Sequence, residues 1–162
     1  MRKLLHQGAF GLGIREEDIP EFIRSTNEQL KDMSNEPVYY VDYIYEGNKV
    51  NPQHILDIAD MSSFWGKDMD ESLIAIENLK VTQDMVTLMS PDKNPTLKIT
   101  LPNKISIIKF GSSQEEYENL LSEGFIKINL VGKCNANVWM STVTPQIMIE
   151  SYDIVERVNY YF

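Results

Sequence analysis

His6-Gln7-Gly8-Ala9-Phe10-Gly11-Leu12-Gly13-Ile14 stands almost at the start of the chain, a histidine followed by three closely spaced glycines. Such a run suits a phosphate-handling loop, which needs a protonatable ring and a backbone that can approach an anion closely. Gly8-x-x-Gly11-x-Gly13 is not a dinucleotide fingerprint, because no strand precedes it and the spacings come in the wrong order. The elements that would support this loop must lie elsewhere or be missing. The chain therefore reads as the C-terminal part of a larger enzyme, cut off from its reaction centre. Other reactive groups are sparse. His54, the second of two histidines, falls in the first turn of an expected helix and reads as a surface or packing residue. Asp68-x-Asp70-Glu71 can attract a divalent cation, but the rest of an EF-hand pattern is missing, and a solvated acidic loop accounts for it. Cys134, the single cysteine, has no basic or histidine partner at useful spacing and reads as a small core or loop residue.

The chain has 162 residues, 43% of them hydrophobic, enough for one domain or a domain with an appendage. One cysteine excludes a disulfide framework and fits a reducing compartment. No apolar run approaches the ~20 residues of a membrane span, and no signal peptide follows the two basic residues at the start. The expectation is a cytoplasmic protein without membrane contact. Net charge is −9, which at face value argues against nucleic acid. The charge is unevenly spread: residues 1–73 carry −7 and residues 74–162 only −2. Four acids of the second half, Glu115, Glu116, Glu118 and Glu123, belong to one short helical segment. A mildly basic sheet face beside an acidic helix and an ordinary mixed-charge surface both fit this balance.

The elements that must position these groups begin with a helix over 19–32. Asp18 is placed to N-cap it, with Glu21 completing a capping box and Pro20 tolerated in the first turn. Ile19, Phe22, Ile23 and Leu30 form one apolar stripe, expected to be buried on the rest of the chain or in a homodimer. Ser34-Asn35-Glu36-Pro37 stops the helix. Residues 38–45 read as a strand covered on both faces, and Asn51-Pro52 opens a short helix through Ala59. A loop over 62–72 leads to a long strand or bent pair over 73–89 and a turn over 90–95. Strands follow over 96–101 and 104–110. A helix over 113–122 is capped by Ser112 or Ser113, with Glu116 in the box position and Gly124 as its stop. Strands over 125–133 and 144–153 close the chain, with a polar loop around 135–141 between them. Five strand signals with one helix between the third and fourth is the order of an OB-fold barrel. The expected class is α+β, mainly β: an OB-fold-like barrel over 35–162 preceded by a linker helix over 14–34.

Residues 104–153 also carry a family resemblance. Lys109-Phe110-Gly111, the acidic helix, and Val131-Gly132-Lys133 with Asn137, Trp139, Pro145 and Gln146 resemble the C-terminal OB domain of RecJ-type single-strand-specific exonucleases, the phage and Gram-positive branch most nearly. Ser63-Phe64-Trp65-Gly66 and Leu73-Ile74-Ala75-Ile76-Glu77-Asn78 are similar to the loop and strand that open that barrel, with the usual Pro-Phe-Gly altered. His6-Gln7-Gly8-Ala9-Phe10-Gly11 resembles the end of the Gly-Gly-His-x-x-Ala-Ala-Gly motif of the DHH-associated domain, with Leu4 and Leu5 in place of the glycines and Phe10 in place of an alanine. On this resemblance residues 1–13 are a remnant of that domain, and His6 is the phosphate-binding remnant.

The resemblance implies a module of a DNA repair or recombination exonuclease that binds single-stranded DNA without catalysis of its own. It implies no catalytic and no metal-ligating residues here, since the DHH domain supplies the Mn²⁺ or Mg²⁺ ligands of the parent family, and no cofactor in this chain. Its expected partners are single-stranded DNA and the catalytic DHH domains. For DNA contact the residues are Lys109, Lys127 and Lys133 on phosphates and Phe110 and Trp139 as stacking platforms, with Asn137 beside them. The bland alternatives are that Phe110 and Trp139 are core and that Asn137 and Gln146 satisfy backbone groups. A protein-interaction module docking the catalytic domains through the acidic first half and the helical stripe is the competing reading.

Overall fold

The computed structural model describes residues 13–31 and 37–160. His6, Gly8 and Gly11, all of the expected remnant over 1–13 except Gly13, and the helix stop over 34–37 except Pro37 lie outside the described residues. The chain divides into two compact units, 1–38 and 39–162.

In the first unit a 3-10 turn, Glu16–Asp18, leads into α1, Ile19–Leu30. The expected cap is not made: Asp18 is itself in the helical region and its side chain accepts no capping hydrogen bond. The preceding turn already organises this end, with the Asp18 amide bonded to the Arg15 carbonyl at 3.0 Å. Glu21 instead grips Arg24 one turn on, at 2.8 Å. The stripe forms, yet none of the helix residues is buried.

The second unit is built on one seven-stranded sheet in the order β1-β2-β6-β7-β5-β4-β3. The strands are β1 Tyr43–Glu46, β2 Leu73–Val81, β3 Val86–Met89, β4 Thr96–Thr100, β5 Ser106–Phe110, β6 Phe125–Trp139 and β7 Thr142–Val158. Consecutive strands β2 and β3 lie at opposite margins of the barrel part, because the 3-10 turn Gln83–Met85 breaks one long strand into two halves. With α3, Gln114–Asn119, between β5 and β6 and the β5–β7 pairing parallel, this is the OB arrangement the element order predicts. Alternate residues of every barrel strand point inward and pack as one core, including Ile74, Ile76, Leu97, Ile99, Ile107, Ile128 and Ile147.

Outside the barrel, β1 pairs parallel to β2, joined by α2, Pro52–Asp60. Asn51 caps α2 as expected, its side chain accepting from the Gln53 amide at 2.9 Å. The first strand is shorter and barer than predicted: it runs only over Tyr43–Glu46, with Asp42 bonded to Leu73 at its start, and in β1 only Tyr45 is buried. A strand ends where its partner ends, and β2 begins at Leu73, opposite Asp42. Two other expectations change. The polar loop over 135–141 is strand on both sides of a two-residue turn, with Met140 and Ser141 at φ 44° and 68°. Gly124 does not stop α3, which ends at Asn119 with Leu120 as its C-cap; a Cβ on Gly124 would lie 2.3 Å from the Val158 carbonyl oxygen, so the residue is small to admit β7.

Candidate nucleic-acid interface

Strand alternation decides which candidates share a face. The even residues Ile126, Ile128, Leu130 and Cys134 of β6 belong to the core, so Lys127, Lys133, Asn137 and Trp139 all project from its outer side. On β5 the same rule separates two neighbours. Phe110 is outward and 67% exposed, whereas Lys109 stands on the inner side opposite Leu97. Trp139 is 70% exposed. The core reading of both aromatics is therefore excluded.

All three candidate lysines are held by carboxylates. Lys109 Nζ lies 2.9 and 3.0 Å from the two oxygens of Glu116 on α3, and the Tyr152 hydroxyl donates to the same carboxylate at 2.9 Å. Ser113 caps α3 through the Glu116 amide at 3.1 Å, which leaves the Glu116 side chain to this network rather than to a capping box. Burial acts to raise the Glu116 carboxyl, but Lys109 and Tyr152 outweigh it and hold the group below its ordinary value. Lys127 pairs with Glu156 at 2.6 Å. Lys133 is clasped by Glu150 at 3.1 Å and Glu71 at 3.2 Å, and these bonds raise its pKa. β7 bulges opposite Val131–Gly132, and Glu150 is the extra residue there, so the bulge aims the carboxylate at Lys133.

The lysines without a carboxylate partner among the described residues are elsewhere. Lys98 on β4 and Lys93 in the loop between β3 and β4 belong to this set, and sequence reasoning passed over both. Pairing runs Thr87–Lys98–Ile108–Met148–Lys133 across the outer face, with Met89–Thr96–Phe110 as the adjoining row. A signal for this face was present in the sequence. No acid occurs in residues 93–114 or 124–149, although the chain holds 24, and these two stretches carry six of its 15 basic residues. Counting by half-chain hid it, because acids in the flanking loops and α3 offset the lysines.

The remaining reactive groups pack inward. His54 Nδ1 is hydrogen-bonded to the Tyr45 hydroxyl, with the Tyr43 ring edge-on at 4.9 Å. Cys134 is buried, and desolvation with the nearby Glu71 carboxylate pushes its thiol up to about 12. Among the described residues no three His, Cys, Asp or Glu side chains converge to hold a metal ion. No helix among them is long and apolar enough to cross a membrane.

Known proteins agree with this architecture. Two crystal structures of RecJ from Thermus thermophilus, in complex with Mn²⁺ and with Mg²⁺, superpose with TM-scores of 0.56 and 0.57 at 11% and 10% identity. They match 90% and 91% of this chain but 20% and 22% of those chains, and the likeness is one of fold. A putative SPbeta prophage-derived single-strand DNA-specific exonuclease, YorK, of Bacillus subtilis (strain 168) is 28% identical over 152 residues, as is its counterpart in Bacillus phage SPbeta. The match takes in 93% of this chain and 26% of each relative, so the chain spans about a quarter of the length of the curated relatives it matches. The RecJ OB domain model matches residues 41–151, and the chain belongs to that family.

Proposed function

We propose that this chain is a single-stranded-DNA-binding module of a RecJ-like exonuclease, and that it binds DNA across the outer surface of β3, β4 and β5. The observation that supports this most is that Lys98, without a carboxylate partner among the described residues, and exposed Phe110 lie in adjoining rows of the outer face of β4 and β5, within the stretch 93–114 that holds four basic residues and no acid. The second and third barrel strands and the loop before them are where OB folds take oligonucleotides. Lysines there neutralise phosphates while an aromatic ring stacks a base, a mode that reads no sequence. The chain's net charge of −9 opposes an anion, so affinity is no better than the ~10⁻⁴–10⁻⁶ M of non-specific contacts. Cleavage belongs to the catalytic domains of the parent enzyme.

Fluorescence anisotropy with labelled oligothymidine tests this. Binding is expected at low salt, weakened by Lys98→Glu with a salt slope shallower by about one phosphate contact. The oligonucleotide should stay intact in Mn²⁺. Binding indifferent to salt, or metal-dependent cleavage that survives repurification, contradicts the proposal. A second reading, docking against catalytic domains, is favoured by α1, where Ile19, Phe22, Ile23 and Leu30 are all exposed. Absence of binding at low salt and high protein concentration would favour it.

A further inference from the structure

We propose that the cleft between α2 and the inner side of the β6–β7 hairpin end is a docking groove for a basic amphipathic segment of a protein partner. It uses none of the residues assigned to DNA contact and is independent of that reading.

The hairpin end is an arm. β2 stops pairing with β6 at Lys133, and β5 pairs with β7 only from Gln146 onward. Beyond those points the ribbon is two-stranded, yet the core row of β6 continues along it. Ile126, Ile128, Leu130 and Cys134 are buried, and Ala136 and Val138 follow at the same two-residue spacing. Ala136 stands opposite Pro145, and Val138 opposite Val143. The first pair is covered: Pro145 is buried and Ala136 packs on the core. The second is open, with Val138 65% and Val143 51% exposed. The core face thus runs out into an apolar strip that no described part of the chain covers.

α2 turns this strip into a groove. A cleft of about 440 Å³ opens between them, walled by Leu56 and Ala59 on the helix and by Ala136 and Val143 on the arm. It has room for large aliphatic side chains. α2 runs for nine residues, about 13 Å, so a segment of similar length can lie alongside it.

Charge selects the occupant. Asp57 and Asp60 stand on the helix side of the cleft, and neither Lys nor Arg lines it. Asp57 accepts a hydrogen bond from the neutral Gln53 amide at 2.8 Å, and neither carboxylate has an ion-pair partner among the described residues. The acidic run continues past α2: residues 57–71 hold five acids against Lys67 alone. That loop returns to the base of the arm, where Glu71 meets Lys133. The arm itself adds no charge, since residues 134–149 contain none. Nucleic acid and acidic peptides are therefore repelled. Lys or Arg spaced around apolar side chains meets carboxylates on the rim and an aliphatic wall within. Met61 and Phe64 lie exposed in the turn that supplies Ser62 to the cleft, and such side chains adapt to a bound helix. A second copy of the chain fits poorly. Its exposed helical stripe on α1 is embedded in acids, with five over residues 16–28 against Arg24 alone, so like charges would meet.

The test is isothermal titration calorimetry with a synthetic helical peptide of leucine and lysine in amphipathic order. The wild-type chain should bind it and should not bind the same peptide with glutamate in place of lysine. Asp57→Lys with Asp60→Lys should weaken binding roughly ten-fold or more and confer binding of the glutamate peptide. Glu115→Lys with Glu123→Lys makes the same change in net charge outside the groove and should leave the affinity unchanged. Val138→Ser with Val143→Ser should weaken binding at an unaltered melting temperature. Equal losses in the two charge-reversed variants would show adsorption to the acidic chain as a whole and overturn the inference, as would a wild-type chain that binds neither peptide. A concentration-dependent dimer that the serine variant lacks would assign the groove to a second copy and also overturn it. Whether oligothymidine binds has no bearing on these outcomes.

Discussion

At the residue scale, Lys109 and Phe110 are adjacent in sequence and face opposite sides of β5. Only Phe110 looks out; Lys109 turns to Glu116 and Tyr152, sharing one carboxylate between an ammonium and a phenol. With side chains only 26% and 22% exposed, the Lys109–Glu116 pair is shielded enough to matter more than the more exposed pairs at Lys127 and Lys133. Because the folded Glu116 carboxyl lies below its ordinary 4.5, ionisation favours the folded state above that value. The contribution is lost as pH falls through the lowered folded pKa. Glu116→Gln is therefore expected to cost about 1–3 kcal/mol at neutral pH. The gap to the wild type should narrow in acid, as followed by urea unfolding at a series of pH values. A gap that stayed constant into acid would show that the carboxylate's charge is not what stabilises.

At the element scale, much of the barrel was legible because hydrophobic alternation is a direct consequence of a one-sided core. The strands over 73–89 and 96–110, the Ser113 cap and the Asn51 cap all carry local signals that tertiary structure did not override. The β6–β7 arm was not legible. Its turn is Met140–Ser141, without the Asn-Gly or Gly pair that announces a hairpin, and its strands mix Asn135 and Asn137 with exposed Val138, Trp139 and Val143, so no one-sided alternation marks them. The ion pairs were equally hidden: Glu71 reaches Lys133 across more than sixty residues, which no local spacing shows. That left Lys133 looking free, while Lys98, in an unremarked alternating strand, lacks a carboxylate partner among the described residues. Gly132, singled out as part of a motif, acts through packing. A Cβ there would lie 2.5 Å from the Met148 carbonyl oxygen, at the bulge that aims Glu150. Gly132→Ala should thus lower stability by about 1–3 kcal/mol, measured by thermal unfolding. An unchanged melting temperature would mean the bulge relaxes freely.

At the scale of the whole molecule, a chain of net charge −9 is an unpromising ligand for DNA until the charge is placed. The two acid-free stretches supply β4, β5, β6 and the first half of β7, which are neighbours in the sheet, and the carboxylates of Glu71, Glu150 and Glu156 meet them at Lys133 and Lys127. An anion is thus offered a local surface rather than an average. At the Debye length of ~10 Å in 0.1 M salt, such a surface is felt at contact range while the distant acids are largely screened. The account stands on that placement, and amide chemical-shift mapping during titration with oligothymidine at low salt tests it most directly. It predicts perturbations clustered at Thr87, Lys93, Lys98 and Phe110 that fade as salt is raised; shifts confined to α1, α2 and β1, or none at all, would contradict it.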